Sequence, residues 1–85
     1  MQEHYQLATL IIKEENDLSV WFVKHRQEWI KEALYVYGYI NREHIQRKFG
    51  ISTPQASIDL KLFQKQNPLL TYYNKTSKRY EAIGE

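Results

Sequence analysis

The sequence predicts a small α+β domain, mostly α, with three helices, a C-terminal β-hairpin and an extra N-terminal segment. Three observations predict this fold class. Apolar residues recur at helical spacing in successive segments that end at Gly38, Gly50 and Asn67. After Pro68 the pattern changes to short runs of aromatic and branched residues, which favour strands. The chain has 85 residues, 42% of them hydrophobic, which suffices for one small core.

Residues 1–17 are predicted to form an N-terminal extension, and residues 18–85 to form the domain itself. The stretch YQLATLII in the extension mixes strand-like alternation with helical spacing, and it weakly favours a helix. Asn16 or Asp17 is suited to cap the helix that follows.

The first helix of the domain is predicted from Leu18 to about Gly38. Its apolar residues at positions 22, 29, 30, 33, 34 and 37 form one helical stripe. Gly38 is a natural end for the helix, because glycine tolerates the left-handed conformation that often follows a helix. Tyr39-Ile40 is then predicted to be a short extended link.

A second helix is predicted from Arg42 to Phe49. Asn41 is a good N-cap for it, and Ile45 and Phe49 are its inward pair, four residues apart. Gly50 ends this helix where a left-handed residue suits a tight turn.

A third helix is predicted at about residues 53–66. Ser52 or Thr53 is the expected cap, and Pro54 lies in the first turn, where proline is tolerated. Residues 56, 60 and 63 form its inward face, and Asn67-Pro68 ends it. Asp59 is expected to be structural and to bond a neighbouring helix or a basic side chain.

The hairpin is predicted from two runs, LLTYY at 69–73 and RYEAI at 79–83. Aromatic and branched residues are typical of strands. The polar, basic stretch NKTSK at 74–78 is the predicted loop between them.

This order of elements is that of a winged helix-turn-helix, with a three-helix core and the hairpin as the wing. In that fold the third helix enters the major groove of DNA, which is about 12 Å wide, so its leading residues should be short and polar. The sequence has short polar side chains at the start of this helix, those of Ser52, Thr53, Gln55 and Ser57. Gln55 is the predicted base-contacting residue, because its amide can pair with adenine. Alternative roles stay open for these residues. Ser52 or Thr53 is only a helix cap in the alternative, and Gln55 and Ser57 are surface residues that contact no base.

Contacts to the DNA backbone are predicted elsewhere. The start of the second helix favours a phosphate through its backbone N–H groups and its dipole. Lys61, further along the third helix, is within reach of a phosphate. The wing at 74–79 is basic and is expected to contact the backbone or the minor groove. Residues 41–85 hold eight basic and four acidic side chains, against four and six in residues 1–40. The predicted DNA-binding residues are Asn41, Arg42, Ser52, Thr53, Gln55, Ser57, Lys61, Lys75, Thr76, Ser77, Lys78 and Arg79.

Residues 38–83 resemble the N-terminal winged helix-turn-helix of WYL-domain transcriptional regulators, which include repressors of phage-defence loci. The matching strings are Gly-x-Ile-Asn-Arg from Gly38, Phe-Gly-Ile from Phe49, Gln-Ala-Ser-x-Asp-Leu from Gln55 and Lys-Arg-Tyr from Lys78. The region around Trp21 and Arg26 is also similar, and residues 51–60 more distantly resemble DeoR-like recognition helices. The resemblance implies that the third helix binds operator DNA.

Other classes of function find little support in the sequence. The three His residues are widely spaced with no matching carboxylate pattern, and no Gly-rich phosphate loop is present, so neither an enzyme, a metal site nor a cofactor is predicted. His44 is expected to face solvent. There is no long apolar run for a membrane span. The main alternative is a winged helix that binds protein partners, for which exposed tyrosines and Ile58 are candidates.

The sequence therefore predicts a sequence-specific double-stranded DNA-binding protein, a transcriptional regulator and more specifically a repressor, located in the cytoplasm at the nucleoid. A homodimer through residues 2–20 is also predicted, because palindromic operators favour two copies and this segment has an apolar cluster. The alternative that the segment packs on the first helix of its own chain is equally open.

Overall fold

The computed structural model describes residues 15–84. Within them, three helices and a three-stranded antiparallel sheet form a winged helix domain, which confirms the predicted α+β class. The predicted extension falls mostly outside the described residues, as does most of the proposed dimer segment. The elements are α1 Glu15–Tyr37, β1 Tyr39–Ile40, α2 Arg42–Phe49, α3 Thr53–Gln66, β2 Thr71–Asn74 and β3 Arg79–Ala82.

Helix α1 is longer than the core that it covers. Asn16 and Asp17 lie inside the helix, so the prediction that one of them caps it is wrong. With 23 residues α1 is about 34 Å long at 1.5 Å per residue. Its buried residues, Ile30, Ala33 and Leu34, lie in its C-terminal half. Phe22 is 49% exposed and Tyr37 68% exposed, so the predicted stripe is too long at both ends.

The turn between α2 and α3 follows the sequence closely. The Asn41 side chain caps α2 by accepting from the backbone N–H of His44. Gly50 ends α2 with φ of +67°, a left-handed conformation that costs glycine little. Ser52 caps α3 by accepting from the N–H of Gln55, and Pro54 lies in the first turn. These predictions are confirmed, with Ser52 rather than Thr53 as the cap.

His44 is a correction to the sequence analysis. Its Nδ1 accepts from the backbone N–H of Asn41 at 3.1 Å, so the two residues form a reciprocal capping box. The side chain is half-buried rather than solvent-facing, because this contact turns it back over the start of α2.

The sheet has the order β1-β3-β2. The hairpin of β2 and β3 was predicted, but Tyr39-Ile40 is a paired strand rather than a simple link. Tyr39 lies opposite Glu81 and Ile40 opposite Tyr80. This pairing fixes the wing against the helices, because β1 leads directly into α2.

The core lies between the C-terminal half of α1, the inward faces of α2 and α3, and one face of the sheet. Trp29, Phe49, Ile51 and Tyr80 pack around its edge. Its buried apolar residues are Ile30, Ala33, Leu34, Ile40, Ile45, Ala56, Leu60 and Phe63. The predicted inward face of α3 is thereby confirmed, and α3 is held with its opposite side toward solvent.

Candidate nucleic-acid interface

The first turn of α3 is tied to α2 through Gln46. The Gln46 Nε2 donates to Thr53 Oγ1 at 3.0 Å and to the carbonyl oxygen of Ile51 at 3.5 Å. Ser52 and Thr53 both remain exposed. These contacts fix the angle at which α3 leaves the turn. The role of Gln46 was missed in the sequence, because a glutamine on α2 gives no signal of its partner.

Gln55 lies one turn before Asp59 and bonds to it. Its Nε2 donates to Asp59 Oδ1 at 2.9 Å. Asp59 is 1% exposed and forms an ion pair with Arg26 of α1, with Nε to Oδ2 at 2.5 Å. Gln27 of α1 also donates to the Asp59 carbonyl oxygen at 2.8 Å. The prediction that Asp59 is structural is confirmed, and Gln55 joins the same network.

A cleft of about 720 Å³ lies between α3 and the wing, and we call it the α3–wing cleft. Leu60, Tyr73 and Tyr80 supply its apolar part. Four cations and one carboxylate, that of Glu43, line it, so it favours an anion. Six of the predicted DNA-binding residues meet there: Asn41, Arg42, Ser57, Lys61, Lys78 and Arg79.

Within the cleft, Arg42 reaches across to α3. Its Nη1 donates to Ser57 Oγ at 3.4 Å, which places the guanidinium beside the outward face of that helix. Lys61 lies one turn beyond Ser57 and is exposed. The start of α2 and the middle of α3 thus form one continuous polar and basic strip.

The tip of the wing is a tight turn built by Asn74. Its Oδ1 accepts from the backbone N–H groups of Thr76 at 2.9 Å and Ser77 at 3.1 Å. The N–H of Lys78 donates to the Asn74 carbonyl oxygen at 2.7 Å, and Lys78 has φ of +60°. Lys75, Thr76 and Ser77 are exposed at this tip but do not line the α3–wing cleft.

Glu81 organises the side chains at the base of the wing. Its carboxylate accepts from Tyr72 Oη at 3.0 Å, Ser77 Oγ at 2.9 Å and Arg79 Nε at 3.0 Å. The hydrogen bond from Arg79, followed by those from Ser77 and Tyr72, lowers the pKa of Glu81 to about 2. The same carboxylate raises the pKa of Tyr72. Glu81 therefore stays charged beside Arg79 at neutral pH, and this cluster was missed in the sequence.

The outward side of α3 is polar apart from one residue. Ser52, Thr53 and Lys61 are exposed, whereas Ile58 is the apolar exception at 58% exposed. In residues 15–84 there is no cluster of His, Asp and Glu that could hold a metal ion. None of the helices in this part of the chain is long and apolar enough to cross a membrane.

Comparison with known proteins shows the family to which the chain belongs. Residues 23–84 match the family model described as the BrxR transcriptional regulator winged helix-turn-helix domain. Over 62 residues the chain is 39% identical to the DNA-binding transcriptional repressor CapW of Escherichia coli strain KTE188, and a second Escherichia coli CapW gives the same values. The alignment covers 73% of this chain but 21% of CapW, so the chain spans only a fraction of the length of these relatives. The chain belongs to the BrxR winged helix-turn-helix family of transcriptional regulators.

Proposed function

We propose that this domain binds double-stranded DNA in a sequence-specific manner and regulates transcription, as a repressor rather than an activator. The α3–wing cleft is the observation that supports this most, because it gathers basic side chains from three elements beside the polar face of α3. The name of CapW, a transcriptional repressor, supports the direction of regulation. A cytoplasmic location at the nucleoid is part of the same proposal.

In this proposal α3 enters the major groove and the wing lies on the backbone or in the minor groove. Ser52, Thr53, Gln55 and Ser57 stand on or near the leading half of α3, where a helix in the major groove contacts base edges. Phosphates on either side of the groove are contacted by the start of α2 and by the wing. The backbone-contacting residues are Asn41, Arg42, Lys61, Lys75, Thr76, Ser77, Lys78 and Arg79.

The alternative of a protein-binding winged helix has less support. Apolar residues would dominate the outward face of α3 if that face bound a protein, but Ile58 is the one large apolar side chain exposed on the helix. In the major groove Ile58 is suited to contact a thymine methyl group. Polar and basic neighbours on both sides of Ile58 favour DNA over a protein partner.

Fluorescence anisotropy tests the proposal. The protein is titrated into a labelled duplex from the region upstream of its own coding sequence and into a scrambled duplex, at low and moderate salt. Tighter binding to the first duplex that weakens with salt is expected, because phosphate contacts release counterions. Equal weak binding to both duplexes would contradict sequence specificity, and no binding at low salt would contradict DNA binding altogether.

A homodimer through residues 2–20 is a separate proposal. The described end of that segment supports it, since Leu18 is 41% and Val20 59% exposed at the start of the domain, with Trp21 52% exposed beside them. Light scattering over a range of protein concentrations tests it, with Val20→Asp as the variant and Lys31→Ala as the control. A mass of one chain at every concentration would favour the alternative in which the segment packs on its own α1.

A further inference from the structure

Asp59 is a buried carboxylate that joins α1 to the predicted base-contacting residue. Arg26 holds it from α1 through two bonds, Nε to Oδ2 at 2.5 Å and Nη2 to Oδ1 at 3.2 Å. On the other side Asp59 Oδ1 accepts from Gln55 Nε2 at 2.9 Å. The spacing of four residues on α3 places the two side chains on the same helix face.

The chemistry of this contact decides which way the Gln55 amide is turned. An ionised carboxylate only accepts hydrogen bonds, so the atom that faces Asp59 Oδ1 has to be the amide nitrogen. The reversed amide would put two acceptors against each other inside a poorly solvated contact. The carbonyl oxygen of Gln55 and its second N–H are thereby left for other partners.

We propose that Asp59 is a positioning residue for DNA recognition, because it turns Gln55 so that the glutamine offers its carbonyl oxygen to a base edge. This inference rests on the proposed function. An offered acceptor selects a base with an exocyclic amino group in the major groove, which is adenine or cytosine. Adenine fits best, since its N7 also accepts the remaining N–H. Guanine and thymine present only acceptors at the corresponding positions.

A single-atom exchange at Asp59 is expected to reverse the preference. In Asp59→Asn, Arg26 Nε still needs an acceptor, so the oxygen of the new amide is expected to face it. The NH2 of that amide then faces Gln55, and the weaker 3.2 Å bond from Arg26 Nη2 is lost. The Gln55 amide then turns over to accept from that NH2. Its own NH2 faces outward and favours guanine or thymine.

Selection from a library of randomised duplexes, followed by sequencing, tests the proposal. The parent, Gln55→Ala and Asp59→Asn are compared, after circular dichroism has checked that each is folded. Gln55→Ala identifies the base pair that Gln55 contacts, where we expect a loss of discrimination of roughly 5- to 150-fold. On the strand that Gln55 contacts, Asp59→Asn is expected to exchange the parent's adenine or cytosine for guanine or thymine, so the two proteins are expected to select different base pairs at that position.

The outcomes separate this inference from the proposed function. If the parent selects no sequence, the proposed function fails and the inference with it. If the parent is selective but Gln55→Ala changes nothing, only the inference is overturned. The same holds if Asp59→Asn keeps the parent's preference, as it would if Asp59 merely joined two helices.

A base analogue gives a test on the parent alone, should Asp59→Asn not fold. Where the selected base is adenine, it is replaced by purine, which lacks the N6 amino group. The outward carbonyl oxygen predicts that purine weakens binding, because purine has no amino group to donate to that oxygen. Unchanged affinity for the purine duplex would overturn the proposal.

Discussion

The guanidinium carbon of Arg79 lies 3.9 Å from the centroid of the Tyr39 ring. The sheet brings them together, because Tyr39 on β1 is opposite Glu81 on β3, and Arg79 is two residues before Glu81 on the same face. Glu81 accepts a hydrogen bond from Arg79 Nε, and the guanidinium lies over the Tyr39 ring. Arg79 is therefore held in place before any DNA arrives.

We predict that Tyr39→Leu weakens DNA binding, because the ordered Arg79 is released. A cation–π contact at an exposed site contributes about 0.5–1 kcal/mol, which is roughly two- to fivefold in affinity. Anisotropy titrations measure the change. Tyr39→Phe keeps the ring and is expected to bind like the parent, so a Phe variant as weak as the Leu variant would argue against stacking.

The stability of the domain is predicted to depend on pH through Glu81. Its pKa is about 2 in the folded protein and 4.5 ordinarily, so Glu81 stabilises the fold at pH values above 4.5. That contribution is lost as the pH falls from 4.5 toward 2. Thermal unfolding of the parent and of Glu81→Gln should therefore show a gap in melting temperature at pH 7 that narrows below pH 4.5. A gap that stays constant down to pH 2 would contradict this assignment.

Removal of Arg26 is predicted to destabilise the domain strongly. Arg26→Met leaves Asp59 buried with no cation, and the loss of one partner of a buried pair costs about 3–5 kcal/mol. Unfolding in urea, followed by circular dichroism, measures it. Lys24→Ala removes an exposed charge from the same helix and should change the unfolding free energy by less than about 0.5 kcal/mol. Equal effects of the two changes would show that the ion pair contributes nothing.

Gly50 is predicted to matter through its backbone alone. A Cβ added there would have no atom within 4 Å, so the cost of Gly50→Ala is that of the left-handed conformation, about 1 kcal/mol. Gly50→Asn should cost less, because asparagine tolerates this conformation. Urea unfolding measures how much unfolding free energy each variant loses. A larger loss for Gly50→Asn than for Gly50→Ala would contradict the argument.

The sequence predicted features that depend on neighbours along the chain. Asn41, Gly50 and Ser52 act on backbone groups within four residues, so their chemistry is visible in a short window. The end of α1 at Gly38 was predicted correctly, but the extent of its inward stripe was not, since the burial of Phe22 and Tyr37 depends on contacts with other elements. The pairing of β1 with β3 joins residues about 40 apart, and a two-residue strand has no alternation to detect.

The candidate site also has some features that a short stretch of sequence predicts and others that depend on contacts between distant elements. Its residue types and its charge were visible in the sequence, and the structure brings six of the predicted residues together in one cleft. The supporting contacts of Gln46, Glu81 and Arg26 were not predicted as such, because each depends on a side chain from another element. Gln46 bonds to Thr53 and Glu81 to Arg79, whereas Arg26 bonds to the Asp59 carboxylate that also accepts from Gln55.

The salt dependence of DNA binding tests most directly whether the α3–wing cleft holds the DNA backbone. The logarithm of the association constant is measured against the logarithm of salt concentration for the parent, Lys78→Ala and Lys31→Ala, whose charge lies on α1 outside the cleft. Loss of one phosphate contact should make the negative slope of Lys78→Ala less steep by about 0.9. The slope of Lys31→Ala should equal that of the parent. Equal slopes for all three proteins would contradict the placement of DNA in this cleft.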